Sequence, residues 1–278
     1  MINLSGFADE VYVNFEQQLD FFQSVGLNYI ELRFIDGMNV LNISKEKLLQ
    51  VKQMLSDRGI GVSAIASPIG KYGISQPFSP HFDRFKHAVD VASFLNTELV
   101  RVFSYYAPQG EDINKYREEV MERMTIKAEY LKESNVRMVH ENESRIFGYS
   151  AENCVDIARS VNSDKLSLAY DPANFVWGGD IVNNVEVCWP LMKPYVTHIH
   201  IKDWKLGSTD IGSLPGEGDG QIEQLIKELV TSSYSGFVTL EPHMSSGGQF
   251  GGETTPEQLK AALQNVKAFF SKYNVVCV

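Results

Sequence analysis

Short apolar or alternating runs recur along the chain, and each is followed by a segment whose apolar residues fall three or four apart. The runs are "INLSGF", "YIELRF", "GVSAIAS", "ELVRVFS", "VRMVHE", "LSLAYD", "VTHIHIKD" and "GFVTLEP", eight in all. Their β-branched and aromatic content and their turn-residue borders predict strands. Between them, Phe15, Leu19 and Phe22 have the i, i+4, i+7 spacing of one buried helix face, and Leu48, Val51 and Leu55 repeat it. Ser44 is placed to cap that second helix and Gly59 to end it. The last helix opens with Thr255 as N-cap, Pro256 at its first position and Gln258 completing a capping box. Its apolar face is Leu259, Leu263, Val266 and Phe270.

Strict alternation of strand and helix predicts a parallel sheet with right-handed crossovers. Eight such units within 278 residues, with no low-complexity linker, predict an α/β fold. The expected form is a closed (β/α)8 TIM barrel, a single domain over residues 1–278. An open doubly wound sheet is the alternative, but the first strand–helix turn, "SGFADEV", lacks the GxGxxG of a dinucleotide fold.

Composition narrows the partners. A formal net charge of −10 argues against nucleic acid, whose backbone is bound by clustered Lys and Arg. Cys154, Cys188 and Cys277 are odd in number and far apart, a reduced, cytoplasmic pattern. "MINLSGFADE" does not read as a signal peptide, and no apolar stretch is long enough for a membrane span. The apolar tail "NVVCV" offers a surface for a second copy of the chain, or a cover for its own barrel.

In a parallel barrel the C-terminal strand ends share one mouth, so what each strand ends with carries the chemistry. The fifth ends in Glu141, the sixth in Asp171, the seventh carries His198 and His200, and the eighth ends in Glu241. The steps from Glu141 to Asp171, His200 and Glu241 are 30, 29 and 41 residues, each about one strand–helix unit, which predicts equivalent heights on adjacent strands. Side-chain alternation agrees. With these four inward, Val139 is also inward, while Met138, His140, Leu168, Tyr170, Ile199, Ile201, Val238 and Leu240 face the helices.

With two Glu, one Asp and one His converging on a point, the carboxylates repel one another unless a cation is present. Oxygen-rich ligation with one imidazole suits Mn²⁺, Mg²⁺ or Co²⁺, with Zn²⁺ also open. Any single strand-end Glu is more often a cap or surface charge; the coincidence over four consecutive strands is what favours a site. His198 reads as packed one layer deeper, Asn142 and Glu143 as loop or cap residues, and His81 and His87 as helix surface or packing.

The ordered set Glu141, Asp171, His200 and Glu241, with "HIHIKD", "PGEGDG", "SPIGK", "HENE", "DPANF" and "LEPH", resembles the xylose-isomerase-like TIM-barrel superfamily over essentially the whole chain. The branch it resembles is that of sugar phosphate isomerases/epimerases. The resemblance implies a divalent metal, Mn²⁺ foremost, held by those four residues. It further implies isomerisation or epimerisation of a sugar or keto-sugar through an enediolate, with Glu141 and Glu241 as acid and base. One departure stands out: where many relatives carry DxxH on the sixth strand, this chain has "DPAN", so Asn174 takes the histidine's place. That keeps open a metal-dependent lyase eliminating water or an aglycone from a keto-sugar, cyclitol or 3-keto-glycoside. A barrel that only binds sugar is a third reading. Around the mouth, Arg33, Lys71, Arg101, Asn174, Lys202 and His243 are candidate substrate contacts; pairing of Arg33 or Arg101 with Glu31 inside the barrel is the competing use. Phe175 and Trp177 are candidates for an apolar wall, and "PGEGDG" for a turn-rich loop near the mouth.

Overall fold

The computed structural model describes residues 1–209, 211–248 and 251–277. Eight parallel strands form the barrel: β1 (Ile2–Gly6), β2 (Tyr29–Leu32), β3 (Gly61–Ile65), β4 (Leu99–Val102), β5 (Arg137–Glu141), β6 (Leu166–Tyr170), β7 (Val196–Ile201) and β8 (Gly236–Leu240). The hydrogen-bonded order runs β1-β8-β7-β6-β5-β4-β3-β2. β1 and β2 then lie side by side without a shared ladder, so the barrel is nearly closed.

The principal helices between and after the strands are α1 (Phe15–Val25), α2 (Lys45–Arg58), α3 (Phe78–Phe94), α4 (Arg117–Tyr130), α5 (Ala151–Val161), α6 (Pro172–Gly179), α7 (Ile222–Thr231) and α8 (Pro256–Ser271). Their ends follow the predicted caps. Ser44 accepts the Lys47 amide at the start of α2, and Gly59 ends it in the left-handed conformation. Thr255 and Gln258 form the capping box of α8, with Pro256 inside its first turn. Each cap satisfies backbone groups that a helix end leaves unpaired.

Outward residues Met138, Leu168, Tyr170, Ile199, Ile201, Val238 and Leu240 join the large core between sheet and helices. Inside the barrel, Ala64, Leu99, Val139 and Ala169 form a separate apolar cluster with Phe237 packed on it. The alternation therefore holds on all four site strands. His140, on the outward side, meets Ser104 Oγ through Nε2 at 2.9 Å. Val275 and Cys277 of the tail pack partly against the chain's own core.

The register shows how the four residues come level. Glu141 pairs across the sheet with Ala169, and Ala169 with His198, so Asp171 and His200 both stand two residues further along their strands. The strands are tilted and staggered, as closure of a barrel requires. Asp171 and Glu241 each lie just past a strand end, and this brings them back to Glu141. No described helix is long and apolar enough to cross a membrane.

Candidate metal centre and active site

Glu141, Asp171, His200 and Glu241 each offer one ligand atom, and these atoms lie within 4.8 Å of one another, all four residues being buried. The local fold sets each. Asp171 is the N-cap of α6, its Oδ1 accepting the amides of Ala173 and Asn174 at 2.9 and 3.2 Å. That fixes Oδ1 and turns Oδ2 into the mouth. Asn142 holds the same residue from its backbone: its Nδ2 donates to Asp171 O at 2.8 Å and its Oδ1 accepts Asp171 N at 2.9 Å. His200 Nδ1 sits between Glu141 Oε1 at 3.1 Å and Glu241 Oε2 at 3.3 Å. Its other nitrogen, Nε2, meets Glu31 Oε1 at 3.2 Å. A carboxylate on the far nitrogen orients an imidazole so that the near one faces the site.

The donor set fits a divalent ion. Glu141 Oε2, Asp171 Oδ2 and Glu241 Oε2 are buried without an aligned hydrogen bond. Among the described residues their contacts are ion pairs: Glu141 Oε2 to Arg101 at 3.1 Å, Asp171 Oδ2 to Lys202 at 2.8 Å, and Glu241 Oε2 to His200 at 3.3 Å and Lys202 at 4.0 Å. Three carboxylates are hard donors of the kind Mg²⁺ and Mn²⁺ take, and one borderline imidazole completes the set.

The electrostatics agree. Burial pushes Asp171 up to about 6, since Glu141 and Glu241 add to the effect and Lys202 only partly opposes it. A site that lifts one of its own carboxylates is short of positive charge. Burial also opposes charge on Glu141 and His200. His200 and Arg101 outweigh it for Glu141, bringing that carboxyl down to about 2. Glu141 and Glu31 outweigh it for His200, whose imidazole is raised well above its usual range. Burial disfavours charge on Lys202 as well, yet Asp171, Glu241 and Glu141 keep its ammonium protonated.

The other candidates surround this centre. Arg33 donates to Asp9 Oδ2 at 2.7 Å and Glu241 Oε1 at 2.9 Å. Arg101 pairs with Glu141, and Lys71 with Glu143 Oε2 at 3.0 Å. Neither arginine pairs with Glu31, which corrects that expectation: Glu31 takes His198 Nε2 at 2.8 Å and His200. The reason is depth, because Glu31 lies below the guanidinium groups, level with the imidazoles of β7. Asn174 Nδ2 donates to Asn142 O at 2.9 Å and approaches Glu141 Oε1 at 3.4 Å. His243, at φ +49, reaches Glu10 and Glu241, each at 3.2 Å. A cleft beside the centre is lined by Glu143, Asn174, Trp177, Lys202, Trp204 and His243, among others. Trp177 is half exposed there, its ring 6.5 Å from that of Trp204. Phe175 instead is buried against Tyr170 and is core, not wall.

Sequence reasoning missed several supporting residues. Asn142 was expected in a loop or cap but is fully buried and holds Asp171. Asp203 accepts amides from Gly216 and Gly218 on Oδ2 and from Trp204 and Gly220 on Oδ1, at 2.8–3.0 Å. It thereby folds "PGEGDG" around one carboxylate. The signal was legible: alternate glycines in that loop let three amides converge, and a Cβ at Gly218 or Gly220 would strike the Asp203 carboxylate. Glu10 left no such signal, since its role depends on His243 and Thr254, more than 230 residues away. His81 is packed as one alternative expected, stacked on Tyr72 with rings 4.4 Å apart, and His87 is exposed.

The family model for the xylose isomerase-like TIM barrel matches residues 19–269. The chain belongs to that family. Among solved structures, it is similar to a D-psicose 3-epimerase from Clostridium cellulolyticum H10 crystallised with D-tagatose. That match has a TM-score of 0.75 and 15% identity, and covers 96% of this chain and 99% of that one. A 3-keto-D-glucoside 4-epimerase from E. coli matches with a TM-score of 0.71 at 13% identity, over 96% and 98% of the two chains. A probable 3-DHS dehydratase from Bacillus anthracis matches with a TM-score of 0.73 at 16% identity, over 95% and 98%. At these identities the structural matches show the shared fold alone. No curated protein matches the chain.

Proposed function

We propose that the protein is a divalent-metal-dependent isomerase or epimerase of a sugar or keto-sugar. Glu141, Asp171, His200 and Glu241 hold the ion, and Glu141 and Glu241 move the proton. The observation that carries the reading is the placement of the two glutamates on either side of His200 Nδ1, at 3.1 and 3.3 Å. One carboxylate removes the proton beside the substrate carbonyl and the other returns one to the opposite face. A bound divalent ion would supply the Lewis acid that makes such a carbon acid sufficiently acidic. Arg101 and Arg33 steady the two carboxylates from the outer side, and Asn142 and Glu31 keep Asp171 and His200 aimed. The epimerases among the matched structures support this choice of reaction, and Mn²⁺ or Mg²⁺ suits the donor set best.

Lys202 favours a second reading. Its ammonium lies 2.8 Å from Asp171 and 4.0 Å from Glu241 and lines the cleft, where it can protonate a departing hydroxyl or alkoxide. With Asn174 in place of a histidine, the same proton abstraction would then end in elimination. The dehydratase among the matched structures is consistent with that outcome.

Metal analysis of the purified protein, followed by deuterium wash-in with a ketose panel, tests both readings. Stoichiometric metal with exchange at unchanged mass is expected for epimerisation. Loss of water or an aglycone marks elimination, and failure to hold any divalent ion after reconstitution sinks both.

A further inference from the structure

Beside the acidic centre lies a second cavity of about 220 Å³, walled by Arg33, Lys71, Arg84 and Arg101 with Phe34 and Phe103. The rest of its lining is neutral. In a chain of formal net charge −10, the described lining of this cavity presents four cations and no carboxylate.

The carboxylates that partner these cations stand behind the cavity wall: Asp9, Glu10 and Glu241 for Arg33, Glu141 for Arg101, Glu143 for Lys71. Among the described residues Arg84 donates to a neutral acceptor, Asn42 Oδ1 at 2.9 Å. The Arg101 side chain is 7% exposed, and its Nε has no hydrogen-bond partner among the described residues. Lys71 and Arg101 both lie over the Phe103 ring, at 4.5 and 5.1 Å, which holds the two cations on one wall. Such a wall suits an oxyanion, which guanidinium groups recognise through paired N–H donors. The volume is below the roughly 300–1,000 Å³ of a whole small-molecule site, so it suits a substituent better than a complete sugar.

We propose that this cavity seats an oxyanion substituent of the substrate, a phosphate ester or a carboxylate, making the substrate class an anionic keto-sugar. The assignment rests on the metal-dependent reading of the adjacent centre. Arg33 and Arg101 link the two regions, since each lines the cavity and also touches one of the proton-transfer glutamates. The anionic end then fixes which carbon of the sugar lies between Glu141 and Glu241.

The test is calorimetric titration of the Mn²⁺-reconstituted full chain with fructose, fructose 6-phosphate and 2-ketogluconate, using wild type, Arg84→Gln and Lys71→Gln. At least one anionic probe is expected to bind about tenfold or more tightly than fructose. Each variant should lose about tenfold for that probe and little for fructose. Preference for fructose 6-phosphate assigns the ester, and preference for 2-ketogluconate the carboxylate. Equal affinity for all three probes overturns the proposal, as does an anion preference that survives in both variants. Arg84 is exposed, so its variant folds. Deuterium wash-in on the same samples separates the two readings. Anion binding through the cavity with no exchange from any sugar leaves the subsite and removes the reaction. Exchange from neutral ketoses without anion preference does the reverse.

Discussion

His140 and Glu141 are neighbours in the chain, yet they belong to opposite sides of the barrel wall and to opposite electrostatic regimes. On the inner side, Glu141 shares a buried cluster in which carboxylates and cations alternate, and His200 there is raised well above its usual range against the effect of burial. On the outer side, His140 lies under α4 with Lys127 nearby, and burial, reinforced by Lys127, takes its imidazole down to about 3. Lys127 itself is fully buried with no hydrogen-bond partner among the described residues, its Nζ 4.9 Å from the Tyr105 ring centre. Burial pushes this lysine down to about 7, with Arg123 adding to the shift. The same residue types thus hold their charge where carboxylates surround them and are pushed toward the neutral form where burial outweighs them. Buried charge persists only with partners.

The comparison is broken most severely on the inner side. Glu241→Gln keeps the shape of the centre and removes one of the two proposed proton-transfer groups, so deuterium exchange should fall by about 10²–10⁴-fold. Exchange at the wild-type rate would remove Glu241 from the chemistry.

Glu31→Gln tests whether the partner behind His200 sets the site. Loss of that carboxylate should weaken metal affinity by about 10–100-fold, measured by competition with a chromophoric chelator. Unchanged affinity would make Glu31 a packing residue.

On the outer side the sign reverses. Lys127→Met should raise the melting temperature by on the order of 5 °C at pH 7, because a cation without a carboxylate is replaced by an apolar chain of similar length. The pH dependence has a definite direction. The folded Lys127 releases its proton near pH 7, whereas the unfolded chain holds it to about pH 10.4. Between those values the unfolded state binds more protons, so wild-type stability gains on the variant as pH rises, by about 1.4 kcal/mol per unit. The advantage of Lys127→Met is therefore fully present below pH 7 and fades toward pH 10. A constant difference across that range would show that Lys127 stays charged in the fold.

The smallest effect concerns the contact that seats His140. A Cβ at Gly148 would strike the His140 ring and approach Ser104 Oγ at 3.1 Å. Gly148→Ala should cost about 1–3 kcal/mol in chemical denaturation while metal content stays at wild-type level. A drop in metal content would show that the two sides of the wall are coupled.

What the chain alone determines is everything governed by short periods. Alternation within strands places Glu141 and Val139 inward and Met138 and His140 outward, because a strand's side chains alternate with period two. Helix ends follow from Ser44, Gly59 and Thr255, since a cap is a contact between near neighbours. Eight strand ends meeting at one mouth then suffices to draw Glu141, Asp171, His200 and Glu241 together. Tertiary structure alone decides who partners whom across the barrel. The stagger that lifts Asp171 past Ala169, the capture of Asp171 by Asn142, and the pairing of Glu31 with imidazoles rather than arginines all depend on strand tilt and depth. So does the gathering of Arg33, Lys71, Arg84 and Arg101 around one cavity from four separate stretches of the chain. Those contacts join residues tens to hundreds of positions apart, and no local period in the chain encodes them.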